Sequence, residues 1–363
     1  MKKKVLFVVP CTPYFPSGIV RVEEYLPYFS ANNIEYKLIN FNAPAVQKNL
    51  HWLDQSVFAK NRFVGLCFRV FFHLSGMPYR WFRLIQILLL SFKYDVVFLQ
   101  AILPPVWFSK LLAKFNRHVV YDYDDAQYNR NERRVQEVIR NAWKVIAGSH
   151  ILFDYARQYN SNVVLIPSAV PLQNYKLDES QKSRSPLRIG WIGGPSTLNN
   201  LRILEEPFRT LIEKGYEFEI FIAGSRGRTS FIPEFEGVNK TIVPVYKGED
   251  IPELVKKFDI GVMPLLDEPW ERGKCAMKAL IYMAAGLPSI SSPVGEPKHI
   301  VLDGENGFLA TSSQEWAKKL EVLLTSPALR EHVGRAGRKT VAEGYSTTVC
   351  FEVLKREILG QEK

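Results

Sequence analysis

Hydrophobic and polar positions fall in blocks along the 363-residue chain. VLFVVP (5–10) is an unbroken apolar run closed by a proline. A strand apolar on both faces is what a parallel sheet covered by helices requires. A loop with Pro13, Pro16, Ser17 and Gly18 follows, and then a helical stretch over about residues 20–29. EYKLINF, DVVFLQ (95–100), HVVYDYDD (118–125), KVIAGS and NVVLIP (162–167) predict further strands, with helical segments between them. Residues 171–187 are polar, aperiodic and bounded by prolines, and predict a linker. The pattern then restarts. RIGWIGG (188–194), FEIFIAG, TIVPVY, DIGVMPL (259–265) and PSISSPVG read as strands, with a helical tail from about Ser312. The economical architecture is α/β, two Rossmann-like domains facing each other across a cleft, over residues 1–170 and 188–345. A last helix at 346–363 is placed to pack back on the first domain. Ligand is expected at the C-terminal edges of the two sheets.

Charge changes this picture because it is uneven. Residues 1–170 hold 21 Lys and Arg against 11 Asp and Glu, while the rest hold 26 of each. A basic first half and a neutral second half suggest different partners for the two. The four cysteines form no CxxC pair, which argues for a reducing compartment and against a zinc site. The first apolar run is too short for a signal-peptide core, and the longest, 84–92, is too short to span a bilayer. The expectation is a soluble, cytoplasmic protein.

Several stretches carry candidate chemistry. Gly193-Gly194 ends a strand and Pro195-Ser196-Thr197 opens a helix, a turn in which backbone amides can approach a diphosphate. An ordinary strand-to-helix turn is the plain alternative. Arg226, after FIAGS, can pair a phosphate or be a solvated loop residue. Arg272 and Lys274 precede a helix expected over 275–285, with Lys278 four residues beyond Lys274 on the same face. Because CAMKALIYMAAG is apolar, a lysine in it wants an anion rather than water. Residues 58–94 hold six basic residues, no acid and ten aromatics. Two amphipathic helices split at Gly76 and Pro78 would present Lys60, Arg62, Arg69, Arg80, Trp81 and Arg83, a composition suited to an anionic membrane surface. A core with a solvated cationic rim is the alternative; nucleic acid is not expected, since no RNA-binding motif accompanies the aromatics.

RIGWIGGPST, FEIFIAGS, DIGVMPLLDEPWERGKCAMK, YMAAGLPSISSPVGE and DGENGFLA (303–310) together resemble the nucleotide-sugar-binding half of GT-B glycosyltransferases, specifically retaining family 4. VYDYDDAQY, WKVIAGSHILFDYARQY and NVVLIPSAV resemble stretches of that family's acceptor half. The resemblance implies a nucleotide-diphospho-sugar as substrate, no cofactor or metal, and retention of anomeric configuration. It places Glu296 near the nucleotide or transferred sugar, and Gly18 in the loop presented to the diphosphate, where Arg21 can help. It also implies that Asp124 and Asp125 meet the sugar or the acceptor hydroxyl. Alternation along the strand puts Asp122 and Asp124 on one face, with Asp125 turning into the loop. One departure stands out: the family's two glutamates, which hold the donor sugar and the ribose, fall on Gly273 and Ile281.

The reading is a glycosyltransferase, peripheral at the inner face of the membrane, serving a lipid-linked or surface-glycan acceptor. A nucleotide-sugar epimerase of the same fold and a non-catalytic glycan-binding relative are the alternatives.

Overall fold

The computed structural model describes residues 3–12, 15–55, 62–177 and 185–360. Pro13, Lys60 and the side chain of Arg62 lie outside the described residues. The chain divides into two units, one of Met1–Ser168 with Cys350–Lys363, the other of Ala169–Val349.

In the first unit, β1 (Lys4–Val9), β2 (Glu35–Asn40), β3 (Val96–Gln100), β4 (Val119–Tyr123), β5 (Lys144–Ala147) and β6 (Val163–Leu165) form a parallel sheet ordered β2-β1-β3-β4-β5-β6. Between them run α1 (Pro16–Arg21), α2 (Leu26–Ala31), α3 (Pro44–Gln55), α4 (Arg62–Ser75), α5 (Met77–Ser91), α6 (Val106–Phe115), α7 (Tyr128–Asn141) and α8 (His150–Arg157). All of β3, β4 and β5 is buried, as is β1 beyond Lys4, which is why these stretches read as unbroken apolar runs. Phe7 anchors the layer, its ring 5.2 Å from both Phe29 and Phe98. The helix expected over 20–29 is instead two helices. The chain leaves helical geometry at Val22 and restarts with Pro27 in the first turn of α2, where its missing amide costs no bond. The expected pair of helices in the aromatic stretch is present and breaks at Gly76.

In the second unit, β7 (Leu187–Ile192), β8 (Phe218–Ala223), β9 (Asn239–Val243), β10 (Ile260–Met263), β11 (Ser289–Ser291) and β12 (Phe308–Leu309) form a parallel sheet ordered β12-β11-β10-β7-β8-β9. The strand order reverses between β7 and β10, the switch point at which doubly wound sheets bind ligands. Its helices are α9 (Glu205–Glu213), α10 (Ile251–Val255), α11 (Pro269–Arg272), α12 (Met277–Ala284), α13 (Pro297–Ile300), α14 (Ser313–Thr325) and α15 (Pro327–Thr340). The front of the expected linker is part of this unit. Tyr175 is buried in its core with Leu280 and Met283, and its carbonyl accepts from Arg338 at 2.6 Å. One anchored aromatic fixes a segment that has no periodicity. From Cys350 onward, α16 (Thr347–Leu359) completes the first unit, with the Phe351 ring 5.2 Å from those of both Tyr28 and Phe29, edge-on to the latter. Among the described residues no helix is long and apolar enough to cross a membrane.

Candidate functional site

At the switch point of the second unit, the backbone of Gly193 lies against the side chain of Lys278. A Cβ at Gly193 would sit 2.6 Å from Lys278 Cε and equally close to the Trp191 ring. The Lys278 ammonium stands 5.5 Å from the centroid of the Trp191 ring, whose face attracts a cation. One turn further along α12, Tyr282 fixes the helix to the sheet. Its hydroxyl accepts from Ile192 N–H at 3.1 Å and donates to the Val262 carbonyl at 3.2 Å. On the other side, Gly224 adopts φ +103°, and a Cβ there would overlap the Gly193 carbonyl oxygen at 1.8 Å. Glycine is obligatory at this contact. Tyr246 O–H donates to the same carbonyl at 3.4 Å, and burial pushes this phenol up to about 12, with Arg226 opposing the shift. The charge of Arg226 acts on this phenol, and the arginine itself holds a left-handed backbone conformation.

The Gly193 amide is not available to a ligand, since it donates to the Ala223 carbonyl at 3.0 Å. Gly194 is open: a Cβ there would meet nothing within 4 Å. Ser196 is exposed in the 3-10 turn that follows. The helix expected from 275 begins at Met277, after Ala276 in a left-handed conformation (φ 54°). Lys274 therefore precedes the helix and shares no helical face with Lys278. Its ammonium lies 5.1 Å from the Trp270 ring centroid. Arg272 is engaged elsewhere, paired through two nitrogens with Asp267 at 2.6 and 3.1 Å on the surface. Gly295, at φ +69°, lets the turn before Glu296 close on the Arg272 carbonyl, 2.4 Å from where a Cβ would be. Glu296 itself is buried. A separate cleft of about 730 Å³, lined by Arg202, Arg209, Phe231 and Glu234 among others, shares none of these residues.

In the first unit, Arg21 ends α1 rather than heading a helix, and it is buried. It donates to both carboxylate oxygens of Asp122, through Nε at 3.2 Å and through Nη2, and to the Ile166 carbonyl at 2.8 Å. It is a structural cation and drops out of the diphosphate reading. Asp122, so paired, is not offered to a metal with Asp124. Asp124 lies just past β4, bonded by Ser17, with its carboxyl pushed up to about 7 by burial and then by the charge of Asp125; Arg21 and the Ser17 bond oppose the shift. Asp125 turns into the loop and accepts from Gln127 N–H through its carbonyl at 2.7 Å. Gly18 sits buried inside α1, a Cβ there 3.1 Å from the Thr12 methyl, and serves close packing.

The aromatic segment is more apolar at its surface than its composition suggested. Phe63, Phe71, Trp81, Phe82, Ile85 and Leu89 are each at least half exposed. Trp81 stacks on Trp107 of α6 at 6.0 Å, so the patch continues beyond the two helices. Arg69 is exposed, but Arg83 folds back on Tyr79 and Gln86, and Arg80 is half-buried against the His73 carbonyl at 3.3 Å.

Two six-stranded parallel sheets with surrounding helices match the fold of solved GT-B structures. Residues 186–326 match the family model described as glycosyl transferases group 1. The capsular polysaccharide biosynthesis glycosyltransferase CapM of Staphylococcus aureus is 26% identical over 192 residues, 51% of this chain and 49% of the relative. The chain thus spans about half the length of that relative. Among solved structures, HepE of Anabaena in complex with UDP and glucose superposes with a TM-score of 0.69 at 13% identity, over 99% of this chain and 100% of that one. The lipopolysaccharide outer core galactosyltransferase WaaB, in its apo form, gives 0.65 at 15% identity, over 98% and 99%.

Sequence reasoning missed Tyr246, Tyr282 and the burial of Glu271. The tyrosines had no motif to mark them: Tyr282 lies inside the apolar α12 and Tyr246 three residues past β9.

Proposed function

We propose that this protein transfers a hexosyl or related glycosyl group from a nucleotide-diphospho-sugar to a lipid-linked or surface-polysaccharide acceptor, releasing a nucleoside diphosphate. The observation carrying this reading is Lys278, held across the Gly193 backbone at the switch point of a doubly wound sheet. As the anomeric C–O bond breaks, charge builds on the leaving diphosphate, and a fixed ammonium stabilises it without reorganisation. Gly194 leaves room for the phosphates, and Lys274 and Arg226 supply further cations. The acceptor oxygen bonds to the anomeric carbon and its proton passes to Asp124, which near neutral pH is poised between its two forms. In the second unit, Glu296 accepts from hydroxyls of the donor sugar. Retention is proposed on the family resemblance. The capsular polysaccharide glycosyltransferase CapM, HepE in complex with UDP and glucose, and the galactosyltransferase WaaB support the donor class and the polysaccharide setting.

The exposed aromatic face of α4, α5 and α6 favours a second element of the reading, that the protein sits on the inner, cytoplasmic face of an anionic membrane. Between residues 56 and 121 the sequence has nine Lys and Arg and one acid, which suits headgroups around an inserted apolar patch.

A thermal-shift screen of nucleoside diphosphates and their sugars, followed by product analysis with and without lipid-linked acceptor, tests the activity. Transfer that needs acceptor is expected. A new nucleotide-sugar formed without acceptor would identify an epimerase. No shift with any nucleotide would leave a binding or scaffold protein.

A further inference from the structure

The cleft of about 730 Å³ lies wholly within the second unit. Its walls come from three connections: the 3-10 stretch Pro195–Leu204 with the start of α9, the crossing from β8 to β9, and the turn that opens α14. Each wall is fixed. Phe235 is buried with its ring 4.9 Å from that of Phe208 in α9, and the Glu234 carbonyl accepts from Lys240 Nζ at 2.7 Å. Ser312 caps α14 by accepting from Glu315 N–H at 3.2 Å. A cavity with fixed walls gives up little conformational freedom when it is filled. Its volume falls in the range of about 300–1,000 Å³ usual for small-ligand sites.

The lining sets one aromatic among charges of both signs. Phe231 ends a short 3-10 turn and is 49% exposed. Arg202, Glu205, Glu234 and Glu236 also line the cleft, exposed and each without a side-chain partner among the described residues. Arg209 and Glu206 are already paired with each other. Four carboxylates against two guanidiniums repel a polyanion, while Arg202 opposes a run of cations. A neutral polyol meets neither obstacle. Its hydroxyls donate to carboxylates and accept from a guanidinium, and the C–H face of a sugar ring covers an apolar ring.

We propose that this cleft binds a neutral oligosaccharide, with Phe231 beneath one sugar ring and Arg202, Glu205, Glu234 and Glu236 on its hydroxyls. The site is additional to those already described: it shares no residue with the Gly193–Lys278 cluster and lies in a different unit from Asp124. It gives the second unit its own hold on glycan, which raises the local concentration of a polymer between transfers.

The test uses the full chain and ligand-observed NMR titration. The probes are neutral oligosaccharides of glucose, galactose, mannose and N-acetylglucosamine, an oligogalacturonate and an oligoarginine peptide. At least one neutral oligosaccharide is expected to bind wild type, and the oligogalacturonate is not. Phe231→Ala removes the platform, and Ser230→Trp fills the cleft from an exposed lining position. Each is expected to weaken saccharide binding about tenfold or more. Because both positions are exposed, both variants are expected to keep the wild-type melting temperature and nucleoside diphosphate affinity. No binding of any neutral oligosaccharide would overturn the proposal. Binding that both variants retain would also overturn it, by placing the glycan elsewhere on the chain. Loss of nucleoside diphosphate binding in both variants would merge the cleft with the donor site, with the same result. Oligoarginine binding that Ser230→Trp abolishes, with no neutral saccharide bound, would assign the cleft to a cationic protein segment instead.

Discussion

The ammonium of Lys278 lies 5.5 Å from the centre of the Trp191 ring, with its aliphatic chain against the Gly193 backbone. A nucleotide reaching this lysine changes the field on a buried indole, so the site reports its own occupancy. Lys278→Ala is expected to weaken nucleoside diphosphate binding by about 1.5–3 kcal/mol, the range for a charge-assisted contact. Arg272→Ala, which removes a surface pair with Asp267, is expected to change it by less than about 1 kcal/mol. Titration followed by tryptophan fluorescence checks both. Equal effects of the two substitutions would contradict the placement of Lys278.

Asp124 ties activity to pH. Its carboxyl is pushed up to about 7, chiefly by burial. It is therefore protonated and unable to take a proton below that value, and ionised above it. Transfer is expected to rise with pH through about 7. Asp124→Asn is expected to lower the rate and flatten this limb while leaving nucleoside diphosphate affinity unchanged. The same shift has a stability sign. From about pH 4 to 7 the folded carboxyl keeps a proton that the unfolded chain has lost, so the fold loses stability as pH rises. Asp124→Asn is thus expected to raise the melting temperature at pH 8 and not at pH 4.

The Arg21–Asp122 pair is buried on both sides, with side chains 2% and 1% exposed. Removing one partner leaves an uncompensated charge inside the sheet. Asp122→Asn or Arg21→Met is expected to cost about 3–5 kcal/mol in urea unfolding. The double variant, which leaves no charge behind, is expected to cost less than the two single costs combined.

For the aromatic face, the triple variant Trp81→Ser, Phe82→Ser, Ile85→Ser is expected to lose vesicle binding, at roughly 1–2 kcal/mol for each side chain no longer buried in lipid. Sedimentation with phosphatidylglycerol vesicles checks this. Because Arg80 and Arg83 are partly withdrawn into the helices, the apolar share of binding is expected to survive 0.5 M salt, roughly a fivefold rise on 0.1 M that shortens the Debye length well below about 10 Å. A monodisperse dimer insensitive to vesicles would assign the face to a second copy of the chain.

Both sheets were legible because their inner strands are buried on both faces, and VLFVVP or DVVFLQ admit few other readings. The Gly193-Gly194 turn was legible because two glycines close an apolar strand, but that Lys278 rather than Lys274 lies against it was not. What escaped the reading depends on tertiary pairing. Arg21 resembled a helix-head cation until Asp122, about a hundred residues away, claimed it. Arg272 resembled a phosphate ligand until Asp267 did the same. The start of α12 was misplaced because Ala276 holds a left-handed conformation that costs an alanine about 1–2 kcal/mol, and nothing in its identity announces it. Glu271 read as one acid in a charged segment, and only its burial sets it apart.

Phe351 packs on Tyr28 and Phe29, yet it leaves the ribosome long after them. At about 5–20 residues per second, the wait between Ser168 and Phe351 is on the order of ten seconds or more. Throughout that interval the nascent first sheet has an aromatic face without its cover, and the second unit is completed while the first is still open. The last step in folding of the first unit is thus expected to wait until the second unit has been made, and a chaperone that holds exposed aromatics has its binding window there.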